Sequence, residues 1–320
     1  FEGLGVPLKV ERGRRVFPVS DRAEDIRRAL VRYADGAELH TEEVTKLILE
    51  EGRCVGVSCQ SGRQYRGDWV LVATGGVSYP GTGSRGAGYE LARQAGHTVR
   101  PPVPSLVSLV AQGGECRRMM GLALKNVGLT LYQDGKSIFQ EQGEALFTHF
   151  GLSGPLVLSA SAHLGDLAKH KYEVGFDLKP ALSHEQLYAR LNRDLTALAN
   201  RDAANCLVKL LPASMQPVMV ERWGVDPAKK ANQLTKEERL ALVELMKDFR
   251  IRIRDRGDLE HAVITSGGVA VKEVDPRTMA SKKCPGLYFA GEVLDVDAYT
   301  GGYNLQIAWC TAQAAARGLA

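Results

Sequence analysis

Pro285-Gly286-Leu287-Tyr288-Phe289-Ala290-Gly291-Glu292-Val293-Leu294-Asp295, followed by Thr300-Gly301-Gly302-Tyr303-Asn304-Leu305-Gln306, is the stretch from which the fold unrolls. It reads as a short apolar strand, an acidic turn, a double glycine and a helix. The strand ends at Gly291, where a missing side chain lets backbone approach a ligand closely. Glu292 and Asp295 offer carboxylates to sugar hydroxyls, and Gly301 with Gly302 allows a second close approach. The helix, expected over Leu305 to Arg317, points its first N–H groups back toward the turn, a setting that favours negative charge.

A second segment repeats the theme. Asp68-Trp69-Val70-Leu71-Val72-Ala73-Thr74-Gly75-Gly76 is a buried-type strand ending in glycines, and Val77 to Tyr89 leads on into a helix closed by Gly96-His97. Six glycines, Gly75, Gly76, Gly81, Gly83, Gly86 and Gly88, are too many for an ordinary connection. A backbone that hugs a pyrophosphate or a sugar explains them. Two strand–glycine–helix series in this order read as a flavin seat, because a reduced flavin carries negative charge on its pyrimidine edge. The plainer alternative is strand, turn and helix packed for structure alone.

Composition bounds the function. The 320 residues predict about two domains. A hydrophobic content of 44% is ordinary for a chain with a sizeable core. No transmembrane run or secretory signal stands out. Forty-one basic and 37 acidic residues give a net charge of +4, too slight to diagnose a nucleic-acid binder. Cys54, Cys59, Cys116, Cys206, Cys284 and Cys310 form no C-x-x-C pair and no zinc spacing. Reduced thiols in a cytoplasmic protein are expected, and no metal site. There is no G-x-S-x-G elbow, H-E-x-x-H helix or P-loop lysine, so the chemistry points to a bound cofactor.

Periodicity outlines the remaining elements. A helix is expected from Asp21, as N-cap, to about Ala34, with Ile26, Leu30 and Tyr33 on one face. Strands are expected over Glu43–Leu49, Arg53–Cys59 and near Tyr65. Pro101-Pro102-Val103-Pro104 marks a boundary. Beyond it, β-like runs at Ser105–Ala111, Leu122–Tyr132, Ser137–Glu141 and Tyr172–Asp177 predict a small barrel. From Leu182 to about Asp248 the pattern turns helical: Leu187, Leu191, Leu195 and Leu198 share one face, Ala204–Leu211 fits a second helix, and Thr235 with Glu238 forms a capping box. Strand returns at Phe249 to Arg254.

Several side chains have two readings. His149 is either a proton donor or a hydrogen-bonded hinge histidine before a Ser153 N-cap and Pro155 at a helix start. Cys310 is either a thiol activated near a helix N-terminus or a buried structural cysteine beside Ile307, Ala308 and Trp309. Tyr303 either lines a substrate or packs. Arg250, Arg252 and Arg254 alternate with Ile251 and Ile253, so three cations about 7 Å apart share one strand face. They are either solvated or contact phosphate.

The segments Gly5-Val6-Pro7-Leu8-Lys9, Val16 to Asp21, Ala73 to Gly76, Leu146 to Pro155, Thr265-Ser266-Gly267-Gly268-Val269 and Thr278 to Gln306 resemble the HI-0933-like flavoprotein family, or BaiN/RdsA family of FAD- and NAD(P)-dependent oxidoreductases. The resemblance covers the whole chain and is most specific in the last block. It implies FAD, NAD(P)H as electron donor, and reduction of an activated C=C bond. The implied cofactor-binding positions are Val44, Ala73, Thr74, Gly75, Gly76, Gly291, Glu292, Asp295, Gly301, Gly302, Tyr303, Asn304 and Leu305. Val44 equally fits a plain strand. The resemblance implies two substrate classes, uridine in large-subunit ribosomal RNA or a steroid-like enone such as a bile-acid intermediate, and the three arginines favour RNA.

The fold class expected is α/β: a partial, discontinuous Rossmann-like FAD-binding domain with an inserted small β-barrel and a helical cap. Residues 1–104 and 276–320 supply the first domain, 105–180 and 249–275 the barrel insert, and 181–248 the helical insert. One departure from the family matters. Its members begin with a strand, a G-x-G-x-x-G turn and a helix, then a G-G-G-R-C-N segment, and neither motif occurs here. A truncated chain is therefore expected, with a sheet edge open to a second copy. A non-catalytic fragment without flavin is the contrasting expectation.

Overall fold

Val70–Val72 and Leu287–Phe289 run side by side as a parallel pair, with Leu287 opposite Val70, Tyr288 opposite Leu71 and Phe289 opposite Val72. The structure, a computed structural model, describes residues 1–11 and 14–319. In chain order, hairpin strands β1 (Leu8–Glu11) and β2 (Arg15–Pro18) precede helix α1 (Ala23–Tyr33). Strands β3 (Val44–Glu50), β4 (Arg53–Cys59) and β5 (Gln64–Arg66) form an antiparallel sheet, and β6 (Val70–Val72) leads through the glycine-rich loop to α2 (Ala87–Gln94). Then come β7 (Val99–Ser105), β8 (Leu109–Ala111), α3 (Glu115–Arg118), β9 (Ala123–Gln133), β10 (Lys136–Phe147), β11 (Gly151–Ser153), α4 (Pro155–Ser161) and β12 (Tyr172–Asp177). Helices α5 (His184–Ala197), α6 (Gln216–Trp223) and α7 (Lys236–Lys247) precede β13 (Phe249–Arg256), β14 (Ile264–Val269), β15 (Leu287–Phe289) and α8 (Tyr303–Leu319).

These elements gather into two units. One comprises Phe1–Gly75, Gly86–Arg100 and Gly267–Ala320; the other comprises Gly76–Arg85 and Pro101–Ser266. In the first, the β6–β15 pair buries Val72, Leu287 and Phe289. Gly286, at φ 82°, lets the turn before β15 close onto β4: a Cβ there would strike the Cys54 carbonyl. The Cys54 N–H reaches Pro285 O at 2.8 Å, and the Val70 N–H reaches Gly286 O at 2.8 Å. The free edge of β3 is met by one side chain of α2. Gln94 Oε1 accepts the Leu47 N–H at 2.9 Å and its Nε2 donates to Thr45 O at 3.0 Å, so an amide continues the ladder.

The second unit is built on a closed barrel of strand order β10-β11-β8-β13-β12-β9, every neighbouring pair antiparallel. Strand alternation decides what lies inside. Phe249, Ile251 and Ile253 of β13 are buried while Arg250, Arg252 and Arg254 lie on its outer side. Helices α5, α6 and α7 share the barrel's apolar core through residues such as Leu187, Val218 and Met246. The Thr235–Glu238 capping box starts α7, and Ser183 with Gln186 makes a second box at α5.

Three local expectations are corrected. Ala204–Leu211 is not an α-helix: only Ala203–Asn205 turns, as a 3-10 helix. Cys206, Leu207, Leu210 and Leu211 are all buried, so this apolar run fills the core without a helix-long polar face. Asp21 is not the N-cap of α1. It sits at φ 56° and its carboxylate pairs with Lys9 at 2.7 Å. Ser153 does not cap α4 either; it accepts a hydrogen bond from Ser108 at 2.8 Å, and Gly154 occupies the cap.

The barrel core turns on Phe147 and Phe176, both fully buried with ring centroids 5.7 Å apart. Phe176→Ala is expected to cost about 3–5 kcal/mol through lost burial and the cavity left behind. Urea unfolding checks this, and a loss below about 1 kcal/mol would mean that the site collapses around the gap.

Candidate functional site

The site in the first unit begins with the register of β6 and β15. The Ala290 N–H donates to Val72 O at 3.1 Å, extending the pairing by one residue. Both strands therefore deliver a glycine turn at the same end of the pair: Gly75 follows β6 at φ 72°, and Gly291 follows β15 at φ 75°. Such angles suit glycine. Gly88 serves the same corner from α2, because a Cβ there would collide with Thr74 Oγ1 and press on Val72 and Val293. Ala73 and Thr74 are exposed between these elements. The N–H groups of Gly75 and Gly76 have no hydrogen-bond acceptor among the described residues. Gly76 itself begins the segment that clusters with the barrel unit.

Helix α8 completes the corner. Its Thr311 hydroxyl accepts the Gly291 N–H at 2.9 Å, and a Cβ on Gly291 would lie 3.8 Å from Ala308. Gly301 and Gly302 precede the helix at φ 111° and 95°. A Cβ on Gly302 would meet nothing within 4 Å, and one on Gly301 would meet only the Tyr303 ring. The ladder of α8 begins with the Gln306 N–H to Gly302 O at 3.0 Å, so the N–H groups of Tyr303, Asn304 and Leu305 have no partner within the helix. Tyr303 is 57% exposed and Leu305 61% exposed. Open glycine backbone, unused peptide donors, a helix N-terminus and exposed apolar side chains form a donor set that fits an anionic, ring-bearing nucleotide such as a flavin.

Some expected contacts are already occupied. Asn304 is spent on its own turn, accepting the Ala298 N–H at 2.8 Å and donating to Ala298 O at 2.7 Å. Asp295 pairs with Arg100 at 3.0 Å, and its N–H donates to Val269 O at 2.9 Å. Gly268, at φ 123°, makes that approach possible: a Cβ there would lie 2.6 Å from Val293 O. Glu292 lies in the 3-10 turn after β15 and also has a partner. Val44 opens β3 opposite Cys59. Cys310 is exposed and accepts a hydrogen bond from Gln306 Nε2 at 3.0 Å, so the expectation of a buried cysteine is corrected. The residues around Cys310 are only partly covered because α8 keeps a single buried residue, Ala315.

In the barrel unit, His149 lies exposed on the turn from β10 to β11, with its ring edge-on to Phe150 at 4.9 Å. The three arginines share the outer side of β13, but carboxylates hold two of them. Arg250 bonds Asp248 at 2.7 Å and Glu173 at 3.3 Å, and lies 3.9 Å above the Tyr132 ring. Arg252, 74% exposed, shares Glu173 at 3.3 Å. Arg254 is exposed, with no ion-pair partner among the described residues.

Two buried residues of the first unit escaped the sequence reading. Tyr89 on α2 is 3% exposed, and its hydroxyl has no hydrogen-bond partner. Burial, with the Glu292 and Asp295 carboxylates adding to it, pushes the phenol up to about 12. His97 is enclosed beside Phe289, with Nε2 2.7 Å from Ser281 Oγ and Nδ1 3.3 Å from Glu273 without completing a hydrogen bond. Burial lowers the imidazole below its ordinary 6.5 despite the pull of Glu273. Glu273 feels burial pushing it up, yet hydrogen bonds from Lys283 and Thr98 bring it down to about 2. A lone Tyr in a glycine-rich loop and a His after a helix-ending glycine carry no periodic signal, so the sequence could not mark them.

A parallel strand pair with glycine turns at one end and a helix N-terminus beside them defines the Rossmann type of nucleotide-binding oxidoreductase fold. The family described as "HI0933-like protein Rossmann domain" matches residues 1–318, and the chain belongs to that family. A 3-dehydro-bile acid delta(4,6)-reductase from Clostridium scindens is 31% identical over 100% of this chain and 78% of its own length. Ribosomal RNA dihydrouridine synthases from Escherichia coli and Haemophilus influenzae are each 34% identical, over 78% and 77% of this chain. The alignments take in 60% and 59% of those two synthases, so the chain spans less than two thirds of either. No helix among the described residues is long and apolar enough to cross a membrane, and no group of metal-binding side chains occurs among them.

Two outcomes are expected here. Tyr89→Phe removes an unpaired buried hydroxyl and should leave stability unchanged or raise it by up to about 1–3 kcal/mol in the ligand-free protein; a clear loss in thermal unfolding would mean that the hydroxyl has a partner in solution. Stability should also fall on acidification. Because His97 is held below 6.5, the unfolded chain takes up that proton first, so the contribution is complete above about pH 6.5 and declines as pH falls through it. Glu273 adds a second loss between its ordinary 4.5 and about 2. His97→Gln should flatten the first decline in urea titrations, and an unchanged slope would refute the assignment.

Proposed function

We propose that this chain carries the flavin seat of an FAD-dependent oxidoreductase that reduces an activated C=C bond at the expense of NAD(P)H. The observation that carries the reading is the side-by-side exit of Gly75 and Gly291 from one parallel strand pair, with the open Gly301–Gly302 backbone leading into the exposed first turn of α8. A flavin held there supplies hydride transfer to the substrate. The chain's own residues bind and orient it. The N–H groups of Gly75 and Gly76 take anionic or carbonyl oxygens, and the first turn of α8 favours negative charge at the ring edge. Gly301 and Gly302 admit the ring without steric conflict, and Tyr303 and Leu305 offer apolar cover. The proton donor of the reaction is assigned to none of His149, Tyr303 and Cys310, since water serves equally.

For the substrate, a uracil base in large-subunit ribosomal RNA is the first reading, supported by kinship with the two dihydrouridine synthases. A steroid-like enone is the second. It is favoured by the alignment of the whole chain with the bile-acid reductase, and by the carboxylates that neutralise Arg250 and Arg252.

Titration of the 320-residue chain with FAD, followed by fluorescence quenching, tests the reading. Saturable binding is expected, weakened about tenfold or more by Gly302→Val, which fills the open backbone. Failure of the unaltered chain to bind FAD would support a non-catalytic role instead. With flavin bound, NADPH oxidation in the presence of protein-free ribosomal RNA or of a steroid 4-en-3-one decides between the substrates.

A further inference from the structure

One buried hydroxyl holds the start of the Gly76–Arg85 loop. Thr265 of β14, 1% exposed, accepts the Val77 N–H at 2.9 Å and the Ser78 N–H at 3.1 Å. Its Oγ1 also lies 2.8 Å from Ser78 Oγ, and Ser78 is itself buried. Two consecutive backbone donors and a side-chain hydroxyl thus converge on one oxygen. Thr265 heads the Thr265-Ser266-Gly267-Gly268-Val269 stretch, to which the proposed cofactor contacts assign no role.

The arrangement sorts the peptide donors of this segment. From Gly75 to Ser78, the last two N–H groups are consumed by Thr265, whereas those of Gly75 and Gly76 make no hydrogen bond among the described residues. A threonine hydroxyl accepts through two lone pairs and still donates one proton, so a single side chain can fix the direction in which the chain leaves Gly75. Valine has the same shape but offers no acceptor, and would leave both N–H groups buried without a partner.

We propose that Thr265 is a positioning residue for the cofactor: by holding Val77 and Ser78 it presents the Gly75 and Gly76 N–H groups to an anionic oxygen of the bound dinucleotide. This rests on the flavin reading above.

The test compares Thr265→Val with Thr265→Ser in the same 320-residue chain. The readouts are FAD affinity by fluorescence quenching, the visible spectrum of the bound flavin, and the thermal midpoint of the ligand-free protein. Thr265→Ser should bind FAD within about threefold of the unaltered chain, and Thr265→Val should bind about tenfold or more weakly, with a changed flavin spectrum. Equal binding by Thr265→Val and the unaltered chain overturns the inference while leaving the flavin reading intact. Equal loss in both variants also overturns it, because the methyl group and not the hydroxyl would then be what matters. If the unaltered chain binds no FAD, the flavin reading falls and takes the inference with it. Should Thr265→Val fail to fold, amide hydrogen exchange on the unaltered chain decides. Slow exchange at Val77 and Ser78, with Gly75 and Gly76 fast until FAD is added and slow afterwards, supports the inference. Fast exchange at Val77 and Ser78, or no change at Gly75 and Gly76, refutes it.

Discussion

The structure depends on a parallel register between two three-residue strands, Val70–Val72 and Leu287–Phe289. So short a pair has little hydrogen-bond energy of its own, and it joins segments separated by most of the chain, which makes the loop-closure entropy large. Contacts at its margins stabilise it. Gly286 presses backbone to backbone against Cys54, and Val70 and Cys54 are both tied to the same turn. Gly88 draws α2 onto the far end, and Thr311 draws α8 there. Remove the close approaches and the two glycine turns no longer emerge together.

Much of this was legible in the sequence because it rests on strong local signals. A strand ending in glycine occurs twice, strand alternation announces Phe249, Ile251 and Ile253, and the Thr235 capping box names the start of α7. The signals failed where tertiary partners outweighed local preference. Asp21 has the chemistry of an N-cap, but Lys9, brought near by the hairpin, claims its carboxylate. Asn304 lies where a ligand contact was expected, yet its amide closes the turn to Ala298. Ala204–Leu211 has the spacing of a helix and is instead an apolar plug, because every large residue but Val208 finds a buried place. Tyr89, His97 and Gln94 act through partners distant in sequence and have no periodic signature.

Electrostatics differ in kind between the units. In the first, the seat relies on peptide dipoles and a helix terminus, fixed by the fold and insensitive to side-chain rotation. On the barrel, charge is local and largely compensated: one carboxylate, Glu173, serves two arginines, and Arg250 is further committed to Asp248 and the Tyr132 face. A phosphate competing for Arg250 would have to displace these partners. A basic stripe in sequence is therefore a poor measure of free positive charge once strand neighbours are known.

The polypeptide passes between its units at Gly75–Gly76, Arg85–Gly86, Arg100–Pro101 and Ser266–Gly267. Neither unit is a contiguous piece of gene. Recombination with a relative at a single crossover would split three separate segments of one unit and leave mismatched surfaces inside it. Exchange of the barrel between family members thus requires at least the short Gly76–Arg85 segment to travel with Pro101–Ser266, since Thr265 in the long piece holds Val77 and Ser78 in the short one. Inheritance of the two pieces is coupled by a hydrogen bond.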